Sequence, residues 1–221
     1  TTGIHGFRLD AIKHIDSFFM GNFIRDIMAK YGEDFYVFGE FWNGDETANN
    51  DYLGSIDYRF DLVDVKLHHN LFDASRAGVD YDLRNIFEQT LVKNHPESAV
   101  TFVDNHDTQR GQALESTVEE WFKPAAYALI LLRKAGLPCV FYGDYYGINS
   151  EFAQASFQTV LDKLLDIRLN LAYGEQTDYF DDEHCIAWTR SGKDNGQPIA
   201  VILTNDQANS KRMYIGENWA G

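Results

Sequence analysis

Three carboxylates stand at the ends of short apolar runs, and their type and placement could do chemistry. Asp10 closes Gly6-Phe7-Arg8-Leu9-Asp10 and Glu40 closes Tyr36-Val37-Phe38-Gly39-Glu40. Asp107 follows Val100-Thr101-Phe102-Val103-Asp104-Asn105-His106. Each run is apolar or β-branched, short enough for a buried strand, and followed by a segment of helical pattern. A carboxylate at the end of a buried strand is costly unless it is paired or used. Three of them at strand ends of one parallel sheet or barrel would converge on one mouth. Two such groups, one nucleophile and one acid/base, are the working parts of glycoside hydrolysis.

Asp10 suits the nucleophile, which has to be ionised to attack. Arg8, two residues earlier, falls on the same face of the strand and supplies the cation that this chemistry calls for. Taken alone, the two residues read better as a structural ion pair. Glu40 suits the acid/base, because apolar residues precede it and Phe41-Trp42 follow, a setting that favours a carboxyl able to donate a proton. The plain alternative is a solvated glutamate at a loop start. Asn105-His106-Asp107 alone is often no more than a turn; behind a β-branched strand, and with two acids upstream, it reads as a third functional position.

The elements that must position these groups alternate. Strand-like runs cover Ile4–Leu9, Phe35–Gly39, Phe60–Leu67, Ala99–Val103 and Leu137–Tyr142. Helical patterns cover Ile12–Tyr31, with Phe18, Phe19, Phe23, Ile24, Ile27 and Met28 on one face, then Tyr81–Val92, Ser116–Ala135 and Ala155–Ala172. Ser116 with Glu119 has the form of a capping box, and Gly136 with Pro138 marks a helix stop. Repeated strand–helix units imply a parallel sheet. After Gly174 the pattern changes to short β runs at Thr177–Phe180, His184–Arg190, Pro198–Thr204 and Lys211–Ile215. The polar turns 191–196 and 206–210 separate the last three, as in antiparallel hairpins.

His5–His14, Gly39-Glu40-Phe41-Trp42 and Phe102–Thr108 together resemble, in order, three of the four motif regions of the α-amylase family, glycoside hydrolase family 13. The likeness continues through Thr117–Gly147 and Cys185–Arg190 and is nearest the bacterial liquefying type and its intracellular relatives. It implies an α/β fold: a partial (β/α)8 barrel from about the fourth strand to the eighth, over residues 1–174. An incomplete antiparallel β-sandwich would follow over 175–221. On that comparison the first three strands, the protruding calcium-binding domain and the first motif region are absent. The chain alone is then expected to hydrolyse starch negligibly and to unfold over a broad range.

The implied activity is endo-acting, retaining hydrolysis of α-1,4-glucosidic bonds in starch or glycogen. Asp10 would be the nucleophile, Glu40 the acid/base and Asp107 the stabiliser of the oxocarbenium-like charge. Arg8, Lys13, His14, Trp42 and His106 would contact substrate. The His14 carbonyl would also contribute to a structural calcium, most of whose ligands lie outside this chain. Asp178, with the main chain near Tyr81, is a further calcium candidate, although an ordinary turn acid is the simpler reading. Alternatives are a maltooligosaccharide-forming or transglycosylating relative, an inactive fragment, or a non-catalytic glucan-binding barrel. Two departures stand out: Phe41 where the liquefying type usually has tyrosine, and Arg110-Gly111 where relatives often have Pro-Gly.

Of the 221 residues, 34 are Asp or Glu and 19 are Lys or Arg, a net charge of −15. That balance argues against nucleic acid and anionic membranes, which select basic patches, and suits a neutral glucan. No apolar run reaches the length of a membrane span. The aromatic fraction of 14% serves sugar stacking and core packing alike. Cys139 lies in Leu137-Pro138-Cys139-Val140-Phe141 and reads as a buried thiol, and neither it nor Cys185 belongs to a zinc pattern. Cysteine usage leans toward the cytoplasm, with secretion as the alternative. Oligomeric state is open at this level.

Overall fold

The structure, a computed structural model, describes residues 3–193, 196–207 and 209–216. It divides into two compact units. The first comprises Thr1–Leu67, Glu88–Thr101 and Ala135–Leu137; the second comprises His68–Phe87, Phe102–Lys134 and Pro138–Gly221.

The five expected strand runs all form strands, shortened at their ends. They are β1 (Gly6–Leu9), β2 (Tyr36–Gly39), β3 (Asp61–Val63), β4 (Ala99–Phe102) and β5 (Leu137–Cys139). They make one sheet in chain order, β1-β2-β3-β4-β5, and β1 through β4 pair in parallel. Chain order without reversal is that of a (β/α)8 barrel segment, whereas a doubly wound sheet reverses at a switch point. β4 is buried along its whole length, as a covered parallel strand should be. Cys139 departs from expectation: it is exposed, because β5 lies at the edge of the sheet.

The helical pattern over Ile12–Tyr31 breaks in two. A single 3-10 turn covers Ile12–His14, and Ile15 is extended. Then Asp16 accepts the Phe19 N–H at 2.8 Å and starts α1 (Ser17–Tyr31). Met20 and Ile24, four residues apart, form its buried line. Phe18 is 75% exposed and Phe19 is also exposed, against the face read from the sequence. The next two helices have no counterpart in the sequence reading. α2 (Glu46–Ser55) is mostly polar and begins at Asp45, which accepts the Ala48 N–H at 2.8 Å. α3 (Val65–Ala77) takes over the second half of the run expected to be strand 60–67. Asp64 starts it by accepting the Leu67 N–H at 2.9 Å.

Tyr81–Val92 is not a helix. A 3-10 turn spans Leu83–Asn85, Gln89 sits at φ 60, and α4 (Leu91–Asn94) starts only after Thr90. The next helix, α5 (Lys123–Leu132), is shorter than the expected 116–135 because Pro124 belongs in a first turn. The Ser116 hydroxyl, instead of capping, lies between Leu114 O (2.9 Å) and His68 Nε2 (2.8 Å). α6 (Tyr142–Tyr146) and α7 (Gln158–Asn170) follow.

The second unit also holds an antiparallel sheet of β6 (Gln176–Asp182), β7 (Cys185–Arg190) and β8 (Ile199–Thr204). β7 is central and entirely buried, with Trp188 at its middle. The expected strand at Lys211–Ile215 does not form; the Lys211 ammonium instead reaches the carbonyls of Cys185 (2.6 Å) and Tyr179 (3.2 Å). Asp194 and Asn195 of the turn expected at 191–196, and Ala208 of that expected at 206–210, lie outside the described residues. No helix among the described residues is long and apolar enough to cross a membrane.

Gly39 ends β2 directly before Glu40. A Cβ there would stand 2.3 Å from Ile12 Cδ1 and 2.9 Å from Phe60 Cε2, and both side chains are buried. Gly39→Ala is expected to destabilise the fold by about 1–3 kcal/mol through overpacking. Urea unfolding of parent and variant checks this, and a change below about 0.5 kcal/mol would contradict it.

Candidate functional site

In the first unit, the register of the sheet sets Asp10 beside Glu40. Leu9 pairs with Gly39, and the ladder runs on as Glu40 N–H donates to Leu9 O (2.8 Å) and Ile12 N–H to Glu40 O (3.2 Å). The two acids therefore leave adjacent parallel strands at the same C-terminal level. Arg8 spans them. Its Nη1 donates to Asp10 Oδ1 at 2.9 Å, and its Nη2 lies 3.0 Å from Glu40 Oε1 in an ion pair without hydrogen-bond alignment. A planar guanidinium with several fixed donors can serve two carboxylates at once, which an ammonium does poorly.

The two acids differ in environment. The Asp10 side chain is 73% exposed and that of Glu40 only 10%. Glu40 Oε2 also accepts the Ala11 N–H at 3.4 Å. Ala11 reaches that position in the left-handed region at φ 48, uncommon for a residue with a Cβ and a form of strain that concentrates at functional sites. One carboxyl is thus nearly enclosed and its neighbour is open to solvent.

The segment after Glu40 is fixed from both sides. The ring of Phe41 stacks on Tyr52 of α2, centroids 4.4 Å apart, and burial pushes the Tyr52 hydroxyl up to about 12. Asn43 Oδ1 accepts the Asp45 N–H at 2.9 Å. Lys13 Nζ donates to the Trp42 carbonyl at 3.3 Å, tying the turn after β1 to the loop after β2. His14 ends the 3-10 turn and is exposed. The first unit thus brings together Arg8, Asp10, Lys13, Glu40 and Trp42.

One acid of this unit has a different use and escaped the sequence reading. Asp64, at the end of β3, is buried; its Oδ1 takes the Leu67 N–H, and its Oδ2 the Val92 N–H at 2.7 Å. Desolvation raises its pKa against the pull of these bonds. It starts one helix and anchors another. Its position three residues before Leu67 was the available signal.

In the second unit, His106 and Asp107 sit on a tight turn after β4. Asn105 Oδ1 accepts the N–H of both Asp107 and Thr108 at 2.9 Å, and Thr108 Oγ1 accepts the Asn105 N–H at 2.9 Å. His106 Nε2 lies 3.3 Å from Asp107 Oδ2, both partly open to solvent. Beneath the turn is a buried charged group. Asp104 Oδ2 is 2.7 Å from Lys123 Nζ, which also bonds Asp144, and all three side chains are at most 1% exposed. Asp104 Oδ1 takes the Thr108 hydroxyl (3.1 Å) and the Val118 N–H (3.3 Å). His68 Nδ1 is 4.0 Å from Asp104 and donates to Val103 O at 2.6 Å. Lys123 and Asp144 were not singled out from the sequence, where a lone lysine before Pro124 reads as solvated.

Asp178 lies on β6, where both carboxylate oxygens are held by Arg133 at 2.8 Å. Arg133 in turn stacks on Phe87, Phe180 and Trp188. The Tyr81 carbonyl accepts from Asn205 Nδ2 at 2.7 Å. Calcium needs about 6–8 oxygen ligands, and these two donors are already engaged by protein. Among the described residues no group of three or more His, Cys, Asp or Glu could hold a metal ion. The residues present do not fit a calcium site of their own.

The family profile described as alpha amylase, catalytic domain, matches residues 1–200. A glucan 1,4-alpha-maltohexaosidase of Bacillus sp. (strain 707) is 46% identical over 224 residues, covering 100% of this chain and 43% of that protein. The cytoplasmic alpha-amylase of Escherichia coli (strain K12) is 40% identical, covering 99% of this chain and 46% of that protein. This chain therefore spans less than half the length of these relatives. Among solved structures, an Anoxybacillus alpha-amylase superposes with a TM-score of 0.67 at 21% identity, over 91% of this chain and 48% of that one.

The buried charges have a pH signature. Desolvation raises the Asp104 pKa from 3.8 to about 6 against the pull of Lys123. Between those values the folded state holds more protons than the unfolded chain, so this group's contribution to stability falls as pH rises and is level above about 6. Burial lowers His68 from 6.5 to about 4, which acts in the opposite sense over the same range. Comparing parent with Asp104→Asn isolates the first effect. The parent's stability relative to the variant is expected to drop by on the order of 2–3 kcal/mol from about pH 4 to about pH 6.5. Denaturant unfolding at stepped pH measures it; a level difference, or one of opposite sign, contradicts it.

Proposed function

Because the chain belongs to the alpha-amylase catalytic-domain family, we propose that it carries the catalytic carboxylates of a retaining, endo-acting hydrolase of α-1,4-glucosidic bonds in starch- or glycogen-type glucans. The observation that carries this reading is the Arg8 bridge between an exposed Asp10 and a buried Glu40 at the ends of adjacent strands. Neighbouring strands lie about 4.7–4.9 Å apart. That spacing favours the roughly 5–5.5 Å of a retaining carboxyl pair over the wider gap of an inverting one.

In this mechanism Asp10 attacks the anomeric carbon, and the glycosidic C–O bond breaks as Glu40 gives its proton to the leaving oxygen. Glu40, now ionised, takes a proton from water, and that water displaces Asp10 from the glycosyl ester. Asp107 stabilises the oxocarbenium-like charge, and His106, Arg8, Lys13, His14 and Trp42 bind sugar. Motif order in the sequence supports these assignments. Residues 1–174 are read as barrel and 175–221 as the start of the β-sandwich, a boundary that the antiparallel pairing from Gln176 supports. Calcium, to which His14 would offer its carbonyl alongside ligands from outside this chain, belongs to the same family expectation. A cytoplasmic setting is favoured by the name of the Escherichia coli relative, with secretion as the alternative.

A second reading is favoured by the 46% identity to a maltohexaosidase: release of maltooligosaccharides of set length. Product analysis on starch separates the two. For the shared mechanism, Asp10→Asn in the complete protein is expected to abolish turnover, since the amide cannot form the ester. Glu40→Gln should lose about 10²–10⁴-fold on starch and recover partly on a substrate whose leaving group needs no proton. Equal loss on both substrates would remove Glu40 from the acid role.

A further inference from the structure

The turn that presents His106 and Asp107 has backbone bonds from Gln109 N–H to Asn105 O, Leu114 N–H to Asp107 O and Ser116 N–H to Thr108 O, and at its centre one hydroxyl joins it to the buried charges beneath. Thr108 Oγ1 accepts the Asn105 N–H and donates to Asp104 Oδ1. Asn105, placed in this way, accepts the N–H groups of Asp107 and Thr108. Thr117 Oγ1 closes the turn from the other side by donating to Thr108 O at 2.8 Å. The second oxygen of Asp104 faces the Lys123 ammonium at 2.7 Å, in an ion pair without hydrogen-bond alignment. Lys123 in turn donates to Asp144 and to Gln154 Oε1 (3.0 Å). Asp144 is braced by the Tyr127 hydroxyl at 2.6 Å and Gln154 Nε2 at 2.7 Å. In a buried charged network of this kind, displacing a member would leave a charge without a partner.

We propose that Thr108, seated on the buried Asp104–Lys123 pair, is a positioning residue that fixes His106 and Asp107 for catalysis. The role rests on the hydrolase reading above for its kinetic consequence, and on the turn geometry alone for its structural one. A valine has the same shape but can neither accept from Asn105 nor donate to Asp104. A serine keeps both bonds.

The test compares Thr108→Val and Thr108→Ser in the complete protein. Kinetics use a maltooligosaccharide, and hydrogen exchange is read on the peptide spanning residues 103–109. The valine variant is expected to lower kcat by about 10–100-fold, in keeping with the cost of small misplacements. Its KM should stay within about twofold, and the peptide should exchange roughly tenfold faster. The serine variant should return both readouts close to the parent. Parental kcat and parental exchange in the valine variant would overturn the proposal. So would a serine variant as impaired as valine, or a valine variant that raises KM with kcat unchanged. Exchange needs no substrate. If the parent does not cleave glucans, the hydrolase reading falls, and exchange alone upholds or overturns the positioning role.

Discussion

A carboxylate taken out of water costs several kcal/mol unless cations or N–H donors replace the lost solvent. This chain places an acid after β1, β2, β3 and β4, and its local architecture follows from how each is matched. Asp10 and Glu40 share the guanidinium of Arg8. Asp64 is matched by backbone donors, and so becomes the start of one helix and the anchor of another. Asp104 is matched by Lys123, which brings α5 and, through Asp144, α6 into the same group. The groups that must stay solvated or reactive and those that must not are sorted by the kind of partner supplied.

The part of this arrangement legible in the sequence is the part set by near neighbours along the chain. β1 and β2 are short apolar runs, and Arg8 lies two positions from Asp10, so alternation alone puts both on one face. The strand order follows from repeated strand–helix units. What stayed hidden depends on distant partners. Lys123 is buried only because Asp104 and Asp144 meet it from other elements. α2 was missed because its composition is polar and its burial comes from just Asn49, Tyr52 and Leu53. The segment before α5 looked helical by periodicity, but Pro124 and the bond from Thr117 to Thr108 O took its backbone elsewhere. The strand expected at Lys211–Ile215 had the right alternation, but the segment joins no sheet among the described residues.

The second unit makes a similar point with a cation. Arg133 was unremarked in the sequence, yet it packs on three aromatic rings and holds Asp178 with two parallel bonds. Guanidinium stacking of this kind needs aromatic faces from separate segments, Phe87, Phe180 and Trp188, which no local pattern announces. In this structure Asp178 is half of a bidentate ion pair on β6.

The unequal exposure across the Arg8 bridge has an electrolyte consequence. Ions in solution screen charges they can approach, over a Debye length of about 8 Å at physiological ionic strength, and reach buried pairs far less. The Arg8–Asp10 arm ends on a carboxylate open to them, and the Arg8–Glu40 arm on one that is only 10% exposed. Added electrolyte therefore loosens one arm of a single guanidinium and spares the other. Ionic strength thus acts on the carboxylate proposed as the nucleophile more than on the one proposed as the acid/base.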